Sequence, residues 1–304
     1  MKAIAAWLIC CVIWGTTWFF IKVGLRDLPP FSFAAMRFVV AVAVIFPLLL
    51  VLKIPMPNFR RDWRAIFVPG ILTFGINYAL VFWGETQISS GLAAVLQATI
   101  PIFGIIFAQF LLTNEKPTVR KLAAIVLGLL GVTAIFYEQL QLSGWLALIG
   151  SAALVLSAAS AAYANVLVKS HAAEIHPASL LAGQMLVGLA PISIFASVID
   201  GNPFQFNWTW QAVICILYLA IVGSILAFWL YYWVISVMEA TKAMMIAFVT
   251  PVIAVIVGAA FLNETLPHQT AIGGILVLGS VALVLFRSKK ERAEIKRLKE
   301  LTAL

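Results

Sequence analysis

The feature that most constrains this sequence is a series of apolar runs, each about long enough to cross a lipid bilayer as one helix. A helix needs about 20 apolar residues to span the roughly 30 Å hydrocarbon core. Runs of this kind occupy residues 3–25, 31–52, 64–84, 89–113, 118–137, 145–168, 178–199, 211–234, 239–262 and 268–286. Turn-forming Pro, Asn, Asp and Gly residues separate most of them. The sequence therefore predicts an all-α integral membrane protein with ten transmembrane helices.

Composition excludes a soluble globular protein. Of the 304 residues, 63% are hydrophobic and 11% are charged, whereas roughly a quarter of a typical soluble domain is charged. Cys10, Cys11 and Cys215 lie inside apolar runs, so we expect small core side chains and no disulfide. The first run lacks a cleavage-site pattern and is expected to remain as a membrane helix.

The distribution of basic residues indicates how the chain is oriented. The net charge is +8, but Lys and Arg cluster in short loops and in the C-terminal tail, which favours membrane topology over a nucleic-acid partner. With an internal N-terminus, the basic segments 53–64 and 116–121 and the tail all face the cytoplasm. We therefore expect a multi-pass protein of the bacterial inner membrane with both termini cytoplasmic.

The chain also contains an internal repeat. Residues 65–112 align without a gap on residues 215–262, and the earlier helices align at an offset of 147 residues. The aligned pairs include polar and aromatic residues: Lys22 with Lys169, Arg37 with Gln184, Trp83 with Trp233, and Pro101 with Pro251. Two apolar helices share Leu and Ala by chance, but these pairs favour a true duplication.

The repeat divides the chain into two halves. We expect a first repeat at 1–137, a linker at 138–144, a second repeat at 145–286 and a basic cytoplasmic tail at 287–304. Because each repeat has five helices, an odd number, the second enters the membrane from the opposite side and is inverted. Inverted repeats enclose a site near the bilayer midplane that opens alternately to each side. The expected architecture is thus a 5+5 inverted repeat around a central cavity.

Several short motifs resemble those of a known family. They are Trp14-Gly15, Lys22, Pro29-Pro30, Arg37-Phe38, Pro101, Asn114-Glu115, Gly128 and Gly131, with the second-half counterparts Pro251, Glu264 and Gly279. In order and spacing these residues resemble the drug/metabolite transporter superfamily, and within it the bacterial EamA domain. The resemblance implies the same 5+5 fold and, commonly, export of amino acids or related metabolites. The sixth helix departs from it, with Ala161-Ala162 in place of the Trp-Gly pair.

Aromatic and amide side chains inside the apolar runs are candidates for the cavity wall. A site for an amphipathic solute needs flat apolar surfaces and a few hydrogen-bonding groups. The candidates are Trp14, Trp18, Asn77, Tyr78, Trp83, Gln97, Tyr163, Asn165, Gln184, Trp229 and Tyr232. For any one of them, packing between helices is an equally good interpretation. As a set they predict a cavity that accepts an aromatic or amphipathic amino acid.

Charged residues within the runs allow two interpretations. Arg37 either binds a substrate carboxylate in the cavity or caps neighbouring helix carbonyls. Lys22 and Lys169 lie near helix ends and favour interfacial anchoring over ligand binding. No carboxylate falls in the middle of a run, so facilitated diffusion or exchange is favoured over carboxylate-gated proton antiport.

Pro101 and Pro251 stand at aligned positions in the fourth and ninth runs. Each removes a backbone donor and favours a kink. They are predicted either as a symmetric pair of hinges or as static bends that shape packing.

The function predicted from these features is secondary transport. We expect export of a small-molecule substrate across the inner membrane by alternating access, in a lipid-embedded monomer or homodimer, with no cofactor, nucleic-acid partner or metal site. His171, Glu174 and His176 are too widely spaced to indicate metal. The alternatives are a flippase for a lipid-linked sugar, a multidrug efflux carrier and an integral membrane enzyme. The sequence lacks a catalytic cluster, so an enzyme is not favoured.

Overall fold

The computed structural model describes residues 2–88, 90–112, 115, 117–137, 144–171, 175–262 and 268–285. Within these ranges every regular element is helical. The predicted tail at 287–304, most of the predicted linker at 138–144, and Asn114, Glu174 and Glu264 lie outside the described residues.

Fourteen α-helices make up the described chain. They are α1 Lys2–Gly24, α2 Pro30–Val51, α3 Trp63–Gly70, α4 Tyr78–Gly84, α5 Ser90–Gln97, α6 Ile100–Leu111, α7 Val119–Ile135, α8 Gly144–His171, α9 Pro177–Phe195, α10 Trp210–Ala220, α11 Ala227–Val237, α12 Ala240–Met244, α13 Ile246–Leu262 and α14 His268–Leu285. π-helical segments Ile71–Asn77 and Ile221–Leu226 join α3 to α4 and α10 to α11, and a third, Ala196–Asp200, extends α9. A short 3-10 turn occupies Pro203–Gln205.

Eight helical stretches in the described chain are long and apolar enough to cross a membrane. They are Lys2–Gly24, Pro30–Val51, Trp63–Gly84, Leu92–Leu111, Gly144–His171, Pro177–Asp200, Trp210–Val237 and Ala240–Val257. A shorter apolar stretch, Ala271–Val284, lies in α14. This fits the predicted class of an all-α integral membrane protein.

Helices from the two parts of the chain pack on each other in pairs. α1 packs on α13, α6 on α8, and α7 on α14. α2 packs on α10, while α9 packs on α3 and on its π-helical continuation. In every pair one helix ends before residue 137 and the other begins at residue 144 or later. The interface between the two parts therefore runs through the whole bundle.

Glycines allow the closest of these contacts. A Cβ added to Gly131 in α7 would lie 2.8 Å from the backbone oxygen of Gly273 in α14. A Cβ added to Gly70 would lie 2.8 Å from the oxygen of Gln184 in α9. Without side chains at these points the helix backbones touch, which is how membrane helices pack tightly.

The two aligned prolines follow breaks in their helices. α5 ends at Gln97, and Pro101 lies in the first turn of α6, where its missing N–H needs no helical partner. α12 ends at Met244, and Pro251 lies inside α13, which begins at Ile246. Both spans are thus interrupted within a few residues of the proline.

Candidate functional site

A cavity of about 160 Å³ lies between the two parts of the chain. Eight of the predicted site and hinge residues line it: Trp14, Trp18, Arg37, Asn77, Tyr78, Gln97, Asn165 and Pro251. The wall also includes Thr17, Ile21, Thr73, Val81, Ala94, Ile100, Ala161, Phe228, Tyr231, Met244, Ile246, Ala247 and Thr250. Helices from both parts of the chain thus line one cavity: α1, α2, α4, α5 and α6 from the first, and α8, α11, α12 and α13 from the second.

Most of the wall comes from positions that the internal repeat aligns. At the offset of 147 residues, Trp14 and Trp18 correspond to Ala161 and Asn165. At the offset of 150, the lining pairs are Tyr78 with Phe228, Val81 with Tyr231, Ala94 with Met244, Gln97 with Ala247, and Ile100 with Thr250. Both members of each pair face the cavity, so the two parts contribute matching surfaces.

The remaining five predicted site residues lie away from this cavity. Tyr163 packs edge-on against Phe107, with ring centroids 5.2 Å apart. Trp83 is partly buried against the core, and Trp229 lies beside His176. Gln184 and Tyr232 are buried together, with the tyrosine hydroxyl donating to the amide oxygen of Gln184.

Thr73, Phe228 and Thr250 are among the cavity residues that were not predicted from the sequence. The sequence offered a signal for two of them. Phe228 aligns with the candidate Tyr78, and Thr250 precedes the candidate Pro251. Thr73 had no such signal, because a single threonine in an apolar run commonly bonds its own helix.

Arg37 is held in place by three protein acceptors. Its Nε donates to Ser224 Oγ at 2.7 Å, and its Nη2 donates to the oxygen of Gly223 at 3.1 Å and to the Tyr78 hydroxyl at 3.3 Å. The guanidinium also lies 4.7 Å from the centre of the Tyr78 ring, a cation–π distance. These contacts fix a cation, 1% exposed as a residue, at the cavity wall.

Local backbone structure explains how Arg37 reaches its acceptors. Gly223 and Ser224 belong to the π-helical segment Ile221–Leu226, and the Ser224 hydroxyl donates to the oxygen of Leu219 at 2.8 Å. A Cβ added to Gly223 would approach Thr17 Cγ2 to 2.9 Å and Arg37 Nη2 to 3.5 Å. The glycine therefore leaves its carbonyl open to side chains from the facing helices.

Aromatic rings form the apolar part of the wall. The Trp14 ring lies 5.0 Å from Phe228 and 4.9 Å from Tyr231, both in edge-on arrangements. Trp14 Nε1 donates to the oxygen of Gly223 at 3.2 Å, so its polar atom is satisfied and its ring orientation is fixed. This wall offers a flat apolar surface next to the fixed cation.

Polar contacts join the two parts of the chain at one end of the bundle. Trp7 Nε1 donates to the oxygen of Ala243 at 3.1 Å, and the Glu115 carboxylate accepts from the backbone N–H groups of Ala240 and Thr241 at 2.7 and 3.2 Å. Glu115 thereby caps the N-terminus of α12. Lys121 Nζ lies 2.8 Å from Glu239 Oε2. At this end α1, α6 and α7 are tied to α12.

Lys169 and Lys22, predicted as interfacial anchors, have different environments. Lys169 Nζ donates to the oxygens of Ile235 and Met238, both at 2.9 Å, at the C-terminus of α11. Lys22 is exposed. Lys169 is therefore a helix cap.

Contacts also cross between the two parts at the opposite ends of α1 and α2. The Asp27 carboxylate accepts from the Thr209 hydroxyl, and the Asp200 carboxylate accepts from the backbone N–H of Ser32 at 2.5 Å. Among the described residues no group of His, Cys, Asp and Glu is arranged to hold a metal ion.

Comparisons with known proteins agree with this architecture. The EamA-like transporter family model matches residues 1–137 and again residues 148–286. An uncharacterized transporter of Bacillus subtilis, YoaV, is 27% identical over 282 residues, covering 92% of this chain and 96% of the relative. An uncharacterized inner membrane transporter of Escherichia coli, YedA, is 28% identical over 280 residues, covering 90% and 88%. A solved crystal structure superposes with a TM-score of 0.80 at 17% identity, covering 93% of this chain and 96% of that one.

Proposed function

Since the chain belongs to the EamA-like transporter family, we propose that it is a secondary transporter that exports a small amphipathic amino acid across the inner membrane by alternating access. The solute occupies the central cavity, its apolar part against the aromatic wall and its polar part on Arg37, Asn77 and Gln97. The carrier works without a cofactor, as a monomer or homodimer, with both termini in the cytoplasm.

The observation that carries this proposal is the origin of the cavity wall. Positions aligned by the repeat line one cavity in pairs, such as Trp18 with Asn165 and Tyr78 with Phe228. A solute site near the midplane between two related halves is expected to have such a paired wall.

The helix pairing supports ten spans arranged as two inverted halves. Each pair joins a helix of one half to a helix of the other, and the π-helical segments Ile71–Asn77 and Ile221–Leu226 begin 150 residues apart. Under a two-fold relation, α1 on α13 is the counterpart of α8 on α6, and α2 on α10 is the counterpart of α9 on α3.

Alternating access follows from this arrangement. Contacts between the halves lie at both ends of the bundle, with Glu115 on α12 at one end and Asp27 on Thr209 at the other. When the contacts at one end break and those at the other end remain, the cavity is exposed to one side of the membrane at a time. The helix interruptions before Pro101 and Pro251 provide the bends for that movement.

Rival functions make different demands on the same structure. A flippase needs a lateral opening that admits an acyl chain, and it needs basic residues near the headgroups. A carrier of cationic drugs is disfavoured because the buried cation Arg37 would repel its substrate. A membrane enzyme needs a catalytic constellation, and within the described ranges the cavity residues include no His, Cys, Asp or Glu.

Counterflow in proteoliposomes tests the proposal. We expect uptake of labelled aromatic or amphipathic amino acids, but not of nucleosides or cationic drugs, and little acceleration by a pH gradient. Trp18→Ala removes part of the cavity wall and should slow exchange roughly tenfold or more. Trp229→Ala is the matched control, because this tryptophan lies outside the cavity.

Equal losses in the two tryptophan variants would count against transport through this cavity. Strong acceleration by a proton gradient would contradict facilitated diffusion or exchange, the mode that the sequence favours.

A further inference from the structure

Arg37 carries its charge inside the bundle without an acidic partner. It takes part in no ion pair formed within the described ranges. A charge moved from water into a protein interior is strongly destabilising unless a counter-charge or a full set of hydrogen bonds stabilises it. Gln184 occupies the position that aligns with Arg37, and its neutral amide donates to the oxygen of Ala65. A structural hydrogen bond at this position therefore needs no charge. The charge of Arg37 therefore points to a ligand of opposite charge.

The guanidinium divides its donors between the protein and the cavity. Nε and Nη2 bond to Ser224, Gly223 and Tyr78, whereas no described residue accepts a hydrogen bond from Nη1. A guanidinium has five N–H donors, of which Nη1 carries two. Since Arg37 lines the cavity, Nη1 is the group left for a bound anion. The three protein bonds fix its position before the solute arrives.

Two acceptors on the same wall also lack partners. The Thr73 hydroxyl and the Asn77 amide oxygen are buried and form no hydrogen bond with any described residue, and both side chains line the cavity. They lie one turn apart in the π-helical segment that leads into Tyr78, which itself contacts Arg37. Buried polar atoms are normally paired. A solute with an N–H donor would pair these two.

We propose that the cavity binds its solute at both ends of a zwitterion, with the carboxylate on Nη1 of Arg37 and the protonated amine on Asn77 Oδ1 and Thr73 Oγ1. This rests on the proposed transport function and adds that the cargo needs both a free carboxylate and a protonated amine. The side chain of the solute then lies against Trp14 and Phe228. The amide of the same amino acid keeps the protonated amine but has no negative charge. It leaves the buried guanidinium without a counter-charge, so the amide binds weakly.

Matched pairs of acid and amide test the carboxylate subsite. Counterflow is measured in proteoliposomes with L-phenylalanine, L-leucine and L-threonine, each beside its amide. For at least one pair the wild-type protein should prefer the acid by ~30-fold or more, the size of a charge-assisted hydrogen bond. Arg37→Gln should bring that ratio close to one, and Arg37→Lys should retain part of it.

A second arm tests the amine subsite. The compound 3-phenylpropionate is phenylalanine without its amine. The wild-type protein should prefer phenylalanine over it, and Asn77→Leu should lower that preference by ~10-fold, the size of one lost hydrogen bond to a charged group. The acid-to-amide ratio should survive in Asn77→Leu, because Arg37 is intact there.

The outcomes separate this inference from the transport function. Wild-type protein that carries amides as well as acids overturns the carboxylate subsite without any variant, so a misfolded Arg37→Gln protein does not remove the test. An unchanged acid-to-amide ratio in folded Arg37→Gln protein overturns it too, and both results leave transport standing. If no acid or amide moves and none raises the melting temperature of the protein in detergent, the transport function fails with it.

Discussion

The two halves supply the cavity from aligned positions but with unequal side chains. In the first half α1 contributes Trp14 and Trp18, whereas in the second half α8 contributes Ala161 and Asn165. The rings therefore gather on the α1 side, and the α8 side keeps small residues. The aligned positions thus share a place in the cavity wall but differ in the chemistry of their side chains.

The contrast is sharpest at Arg37 and Gln184. Both are buried in the second helix of their half, yet Arg37 lines the cavity with donors to spare, and Gln184 is sealed between Ala65 and Tyr232. Under the proposed function, Arg37 binds the solute, whereas Gln184 only stabilises the packing of the helices. Substitutions at this and at other pairs of positions should therefore have unequal effects.

Gln184→Leu should destabilise the protein without changing its selectivity. The substitution leaves the Tyr232 hydroxyl and the Ala65 oxygen buried without their partner, at about 1–3 kcal/mol for each group. We expect a lower melting temperature in detergent, and an acid-to-amide transport ratio equal to that of the wild type. A change in that ratio would mean that Gln184 also belongs to the solute site.

Gly131→Ala and Gly279→Ala contrast two glycines that the repeat aligns to within two residues. A Cβ on Gly131 meets backbone atoms of Gly273 and Val277 at under 3 Å, so the variant should lose about 1–3 kcal/mol. A Cβ on Gly279 first meets a Leu127 side-chain carbon at 3.7 Å, so this control should stay within about 0.5 kcal/mol. The thermal unfolding of both variants is monitored by size-exclusion chromatography. Similar losses would contradict the contact between α7 and α14.

Lys169→Met and Lys22→Met compare two aligned lysines. Lys169 caps α11 through backbone oxygens, and its loss should cost about 1–2 kcal/mol. Lys22 is exposed, and its loss should cost under about 0.5 kcal/mol. Melting temperatures in the same detergent decide the order. A larger loss in Lys22→Met than in Lys169→Met would contradict the assignment of Lys169 as the cap of α11.

Glu85 gives an effect that depends on pH. Its Oε1 is buried with no partner among the described residues, at the position that Ile235 occupies in the second half. Burial raises the pKa of Glu85 to about 8, an effect that nearby Lys22 partly opposes. The folded protein then holds this proton more tightly than the unfolded chain. The group favours folding at low pH, and this contribution is lost as pH rises towards 8.

The melting temperature of Glu85→Gln, relative to that of the wild type, should therefore rise as the pH is raised from 6 to 8.5. Glu239→Gln is the control of opposite sign. Burial tends to raise the pKa of Glu239, but Lys121 and Lys242 outweigh burial and hold the pKa below its usual value. The carboxylate of Glu239 thus stabilises the fold near neutral pH and ceases to do so in acid, and its removal should matter least there. Parallel pH trends in the two variants would contradict these assignments.

Much of the fold is readable from sequence, because a lipid environment leaves few choices. An apolar run of about 20 residues has to be a helix, since every backbone group needs an internal partner. The π-helical segment at Ile221–Leu226 was not foreseen, because nothing in its composition distinguishes it from an ordinary apolar helix.

The candidate site was harder to predict because the direction of a side chain depends on rotation about the helix axis. Phe228 and Tyr231 line the cavity, while Trp229 and Tyr232, one residue further along, do not. One residue turns the helix by about 100 degrees, and all four are aromatic. Composition indicates that such a helix lines a cavity, but only the packing of the helices determines which of its faces does so.

Alternating exposure of the cavity is the central claim, and cysteine accessibility tests it most directly. Cys10, Cys11 and Cys215 are replaced by alanine, and Thr250→Cys places one thiol in the cavity wall. Leu154→Cys, at a fully buried core position, is the control. In oriented vesicles a membrane-impermeant thiol reagent should modify Thr250→Cys from either side, more slowly when solute is bound, and should leave Leu154→Cys unmodified. Modification of Thr250→Cys from one side only, whatever the solute, would contradict a carrier that opens alternately to both faces.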